Sequence, residues 1–264
     1  MASLFDRVLD LLRGRVLDLS NASVPLVSPP VCIVGDIHGR LDLLELMLHR
    51  IAARAAGQDL PPRVVFVGDM IDRGPDSAGV LRRLHGLNTQ SPDAVICLMG
   101  NHERMMLDFL DDPERCGPRW IAAGGVETLA SFDLAPWGRT PMPDLARQLQ
   151  AALTPAVENW IRCLPLWWQS GQIAAVHAGA APDRDLAAQS PERMLWGARG
   201  RAEGLRKDGL CIVQGHDIVA QAGLQGGRIM VDTGAWRHGV LSGAWLDGAG
   251  LSIIQARLPE GAPD

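Results

Sequence analysis

Gly35-Asp36-Ile37-His38-Gly39 follows directly on the apolar run Val31-Cys32-Ile33-Val34, and this junction decides the fold. A short, unbroken apolar run has the composition of a strand buried on both faces. The Asp and His just past its end are groups that hold cations or carry protons. The same design recurs twice. Val64–Val67 leads into Gly68-Asp69-Met70-Ile71-Asp72-Arg73-Gly74, and Ala94–Met99 leads into Gly100-Asn101-His102-Glu103. Between the runs the period changes to that of a helix. Leu44, Met47, Leu48, Ile51 and Ala55 form one stripe over Leu41–Ala55, and Val80, Leu81 and Leu84 another, with Pro75 near the first turn. Strand, helix, strand, helix, strand with right-handed crossovers gives parallel strands, so all three polar strings meet at one sheet edge.

Upstream, Leu4, Val8, Leu11, Leu12, Val16 and Leu19 predict an amphipathic N-terminal helix, followed by a Pro- and Ser-rich connector to residue 30. Downstream, a helix is expected from near Glu103 to Asp112-Pro113, burying Met105 and Met106. Residues 114–170 are broken by Gly124-Gly125, Pro136, Gly138, Pro141 and Pro143, and predict short helices and loops as a partial cover over the site. The second half reads as strands. Ile173–Val176 runs into His177, Leu210–Val213 through Gln214-Gly215 into His216, and Arg228–Val231 into Asp232-Thr233-Gly234, followed by Val240–Leu246 and Leu251–Gln255. This gives one principal domain over 31–258, preceded by the helix and connector of 1–30 and followed by a frayed tail at 259–264.

A net charge of -5 with a pI near 5.8 argues against a nucleic-acid surface, which needs clustered Lys and Arg. No apolar run approaches the ~20 residues a bilayer requires, and charges at Asp6, Arg7, Asp10, Arg13 and Arg15 interrupt the N-terminus where an export signal needs an apolar core. Five cysteines without CxxC spacing read as reduced thiols, so a cytoplasmic location is expected. Of the tryptophans, Trp120, Trp137, Trp160, Trp167, Trp168 and Trp196 read mostly as core, with a peptide-gripping rim as the alternative.

Asp36, His38, Asp69, Asn101, His177 and His216 all stand at or just past the ends of apolar runs. Singly, each Asp reads as a helix cap and each His as a packed or surface residue. Together they make a mixed carboxylate, amide and imidazole set that suits Mn, Fe or Zn better than Ca or Mg. Asp69, central among them, could bridge two ions, which would activate a water and hold both oxygens of an in-line displacement.

GDIHG, GDMIDRG and GNHE, followed by VHAG and GH, resemble the phosphoprotein phosphatase family of calcineurin-like metallophosphoesterases, in particular its compact bacterial and bacteriophage-lambda type. The resemblance runs from Val31 to Ala235. It implies an α/β sandwich of two mixed sheets flanked by helices. It also implies two divalent metals, Mn first and Fe or Zn as alternatives, with Asp36 and His38 on one, Asp69 bridging, and Asn101, His177 and His216 on the other. By the same resemblance Arg73 clamps the phosphoryl oxygens, His102 is the general acid and Asp72 its orienting carboxylate. Glu103 reads as a helix-start carboxylate.

The implied reaction is hydrolysis of phosphomonoesters on a phosphoprotein or phosphopeptide, by a hydroxide held between the metals. One departure concerns a second phosphate-binding arginine, which relatives place two residues after a Trp. Here Trp196 is followed by Gly197, Ala198 and then Arg199, so Arg199 or else Arg201 is expected in that role. Asp217 adds a negative charge beside His216. Symmetrical dinucleoside tetraphosphate hydrolases share GDIHG and the ligands, but usually depart from Asp72-Arg73-Gly74 in the second string. A non-catalytic phosphoprotein-binding scaffold is the remaining alternative.

Overall fold

The computed structural model describes residues 24–56, 58–134, 140–198 and 206–258. The expected N-terminal helix, the tail, Trp137, Arg199 and Arg201 lie outside the described residues.

The first half alternates as the periodicity requires. β1 (Val31–Val34) leads through the first polar string to α1 (Leu41–Ala55), β2 (Arg63–Phe66) through the second to α2 (Ser77–Gln90), and β3 (Val95–Cys97) through the third to α3 (Asn101–Asp111). β1 pairs with β2 and β2 with β3, all parallel, with Val31 opposite Arg63 and Val64 opposite Val95. Pro75 precedes α2 rather than entering its first turn, because Asp76 supplies the cap by accepting the Gly79 amide at 2.6 Å.

Residues 113–170 hold more helix than expected. α4 (Pro113–Trp120) runs through a π-type turn at Ile121–Gly125 into α5 (Val126–Ser131), and α6 (Met142–Arg162) is 21 residues long. The prolines misled for a local reason. Pro143 sits in the first turn, where no amide is needed, and the break before Pro155 falls entirely on Thr154 at φ 65°. The helix resumes beyond it because Leu145, Leu149, Leu153, Val157 and Ile161 stay buried on one face.

A second sheet is then built from β4 (Trp167–Ser170), β5 (Ile173–Val176), β6 (Cys211–Gln214), β7 (Gly223–Gln225) and β8 (Arg228–Met230), with α7 (Pro191–Trp196) after β5. Its strand order is β4-β5-β6-β8-β7, with β5, β6 and β8 parallel. After α8 (Ala235–His238), β9 (Val240–Asp247) and β10 (Gly250–Arg257) return to the first sheet, giving β10-β9-β1-β2-β3 with β9 antiparallel to β1. Both sheets are mixed, as expected of a two-sheet sandwich.

Strand alternation sorts the core into layers. Val31, Ile33, Val65, Val67, Val213, Ile229 and Leu246 fill the space between the sheets. Cys32, Val34 and Phe66 face outward onto Leu44, Met47, Leu81, Met106 and Phe109 of the helices. Ala174, Val176 and Ile212 pack with Leu186 and Met194 on the far face of the second sheet. No helix among the described residues is long and apolar enough to cross a membrane.

Ile33 is fully buried between the sheets. Ile33→Ala is expected to lower unfolding stability by about 2–5 kcal/mol and Ile33→Val by about 0.5–1.5 kcal/mol, measured by urea denaturation.

Candidate metal centre

The C-terminal ends of β1, β2, β3, β5 and β6 open onto one place. Asp36, His38, Asp69, Asn101 and His177 are all buried there. Asp69 is the hub. One of its carboxylate oxygens lies 3.5 Å from His38 Nε2 and 3.9 Å from His102 Nε2, and the other lies 3.4 Å from His177 Nε2. His38, Asp69 and His102 form one tight group of donor atoms, and Asp69, His177 and His216 a second. Asn101 Oδ1 joins the second, 2.8 Å from His177 Nε2 and 3.0 Å from His216 Nδ1. Asp36 lies beside these groups and accepts the His216 amide at 3.1 Å.

The backbone reaches this place under strain. Seven non-glycine residues among those described have positive φ, and five of them, His38, Asp69, Asp72, Arg73 and His216, belong to the site. Each costs on the order of 1–3 kcal/mol and persists only where surrounding bonds over-determine it. Those bonds are present. The Ile37 and His38 amides donate to Asp69 O at 3.0 and 2.9 Å, and the Arg73 amide donates to Gly124 O at 3.1 Å. Glu103 accepts from the amides of Asp69 at 2.9 Å, Met70 at 2.8 Å and Gly100 at 2.9 Å. Its expected place at a helix start is therefore correct, but the carboxylate also ties the second polar string to the third. A side chain on Gly100 or Gly215 would collide with the Asp69 or Asp36 carboxylate, respectively, so these positions admit only glycine.

The imidazoles are set as ligands are. His38 Nδ1 donates to Ile71 O at 2.8 Å and His177 Nδ1 to Val67 O at 3.1 Å, which turns each Nε2 lone pair inward. Burial pushes His38 down to about 3 and His177 to about 4, so both are neutral. Burial, reinforced by the charges of Asp232 and Asp69, pushes Asp36 well above the usual carboxylate range. Burial pushes Glu103 up to about 7, with the Asp69 charge adding to it, and Asp232 up to about 6. Crowded carboxylates with inward, neutral imidazoles fit divalent cations. A cation already stands on one of these lone pairs, since Arg73 Nη1 donates to His38 Nε2 at 3.0 Å.

His102 differs from the other histidines. Burial opposes its proton, but the Asp69 charge and a 2.7 Å bond from Nδ1 to Asp72 Oδ2 outweigh burial and raise its pKa. Asp72 is fully buried and also accepts from Thr128 Oγ1 at 2.6 Å and Trp120 Nε1 at 3.0 Å. The sequence reading did not single out Thr128, and it took Trp120 as core. It assigned no role to Asp232, although Val231-Asp232-Thr233-Gly234 repeats the strand-then-carboxylate design that marked the other strings. Trp160, Trp167, Trp168 and Trp196 are half-buried and pack against the hydrophobic core, and Asp217 is exposed.

Fold and donor set together have the architecture of a metallophosphoesterase domain. The profile of the calcineurin-like phosphoesterases matches residues 29–232, and the chain belongs to that family. It is 30% identical over 165 residues to a symmetrical bis(5'-nucleosyl)-tetraphosphatase of Nitrosococcus oceani, covering 61% of this chain and 48% of that one. It is 37% identical over 98 residues to serine/threonine-protein phosphatase 2 of Escherichia coli, covering 36% of this chain and 38% of that one. The chain thus spans less than half the length of these curated relatives. The crystal structure of a provisionally assigned diadenosine tetraphosphatase shares the fold at a TM-score of 0.61, with 22% identity, covering 89% of this chain and 97% of that one.

Glu103 and Asp232 have folded pKa values raised from the ordinary 4.5 to about 7 and from 3.8 to about 6. In the metal-free protein the native state therefore holds more protons than the unfolded chain, and stability falls as pH rises through this range. The increase in melting temperature on adding Mn is expected to grow from pH 5 to pH 8, as read by differential scanning fluorimetry.

Proposed function

We propose that this protein is a metal-dependent hydrolase whose substrate is a symmetrical dinucleoside polyphosphate. The observation that carries the hydrolytic reading is the buried Asp72–His102 pair, whose free imidazole nitrogen faces Asp69. The nucleotide is supported by the relatives named bis(5'-nucleosyl)-tetraphosphatase, which match more than half of the chain. That balance reverses the order of preference drawn from the sequence strings. Asp72-Arg73-Gly74 and the Escherichia coli relative favour a second reading, a phosphoprotein phosphatase.

His38, Asp69 and Asp36 would hold one divalent ion, and Asp69, Asn101, His177 and His216 the other, with Mn the first choice and Fe or Zn the alternatives. When bound, the ions supply Lewis acidity and an ionised water at neutral pH. The chain does the rest. Arg73 presents a forked, permanently charged donor to the phosphoryl oxygens. His102 carries its labile proton on Nε2, facing the reacting group, and gives it to the departing oxygen. Asp72 fixes the ring through Nδ1 and favours the protonated form, while Trp120 and Thr128 fix Asp72.

His102→Asn is expected to lower kcat by about 10²–10⁴-fold with metal content unchanged, checked by elemental analysis beside turnover. Removing the anionic partner lowers the His102 pKa, so Asp72→Asn should move the alkaline fall of kcat to lower pH in the metal-loaded enzyme. The substrate is decided by side-by-side turnover of diadenosine tetraphosphate and phosphopeptides with Mn, Fe and Zn after chelation. Cleavage of phosphopeptides alone overturns the first reading in favour of the second.

A further inference from the structure

Two arginines border the donor cluster, each laid on a tryptophan that meets a different histidine edge-on. The Arg73 guanidinium lies 5.1 Å from the Trp236 ring centre, and Trp236 meets His38 at 6.4 Å and 82°. On the other side the Arg119 guanidinium lies 4.6 Å from the Trp196 ring centre, and Trp196 meets His216 at 6.4 Å and 87°. His38 and His216 belong to the two different donor groups. The two arginine–tryptophan pairs therefore border different donor groups.

Arg119 differs from its neighbours in what it touches. Arg104, Arg115 and Arg162 are each engaged by carboxylates. Among the described residues no carboxylate pairs with Arg119, whose guanidinium lies on the Trp196 face. It is exposed, yet an aromatic face orders a guanidinium without using its donors, so the fork stays open for an anion. The helix that carries it is also fixed to the site, because the next residue, Trp120, donates to Asp72.

We infer that Arg119, held on Trp196, binds a phosphate of the substrate chain other than the one being cleaved. The inference rests on the polyphosphate reading above. Arg73 takes the scissile group on the His38 side, and Arg119 takes a further phosphate on the His216 side. This role does not require Arg199 or Arg201, the arginines expected from the sequence. A substrate with one phosphate has no further phosphate to offer Arg119. Arg119 therefore discriminates between phosphate chains and single phosphoryl groups without taking part in proton transfer.

The test measures steady-state kinetics of the Mn-loaded enzyme, at fixed free metal, on para-nitrophenyl phosphate and diadenosine tetraphosphate, with inorganic tripolyphosphate as inhibitor of the first. Arg119→Ala is expected to raise KM for the dinucleotide and Ki for tripolyphosphate about tenfold. Both kinetic constants for para-nitrophenyl phosphate should stay within about twofold of the parent. Arg119→Lys should recover part of the loss, since it keeps the charge without the fork. Unchanged tripolyphosphate inhibition, equal losses on both substrates, or the full effect arising from Arg199→Ala instead would overturn the inference. A parent that leaves the dinucleotide intact but loses tripolyphosphate inhibition on Arg119→Ala defeats the proposed substrate and retains the role of Arg119.

Discussion

The site depends on one buried carboxylate whose oxygens are both taken up by backbone amides. Glu103 gathers amides from Asp69, Met70 and Gly100, so it locks the string after β2 to the string after β3. Asp69 can face both donor groups only because its backbone is held at φ 48°, and Glu103 is what holds it. Hydrogen bonds to an ionised acceptor are about twice as strong as neutral ones. Once Glu103 is ionised, above its raised pKa of about 7, these bonds offset the left-handed strain at Asp69. From this anchor the other parts follow: Asp69 O receives His38, and the following loop brings Asp72 and Arg73 under the π-type turn at Ile121–Gly125.

Much of this was legible because it depends on local chemistry. The runs ending at Val34 and Val176 give strands with the expected bounds, and Leu41–Ala55 gives the expected helix. The donor set was legible because polar side chains directly after such runs have few structural uses together. The rest was hidden because it depends on distant partners. Nothing around Thr128 or Trp120 in the chain announces a bond to Asp72, which lies 56 and 48 residues away. The positive φ values of His38 and His216 left no trace either, since glycine was not used where a donor was required. In α6, proline content outweighed a clear apolar stripe, and tertiary burial decided for the stripe.

Electrostatics links the fold to the chemistry. Asp36, Asp69, Asp72, Glu103 and Asp232 are all buried within one region, a concentration that an apolar sandwich would exclude without compensation. The compensation is divided. Asp72 and Glu103 are satisfied by hydrogen bonds from the protein, which fixes geometry. Asp36 and Asp69 accept one backbone amide each, from His216 and His102 respectively, and Asp69 also faces the imidazoles of both donor groups.

The two sheets contribute unequal halves of the site, and this bears on synthesis. Asp36 receives the amide of His216 across a sequence separation of 180, and β1 pairs with β9 only after the whole second sheet has been made. Contacts of such long range form late in folding, because loop closure precedes any reward. A chain emerging from the ribosome therefore carries its first three strings well before it can assemble the complete donor cluster. His177 and His216 join the first three strings only once the chain has been made through β6.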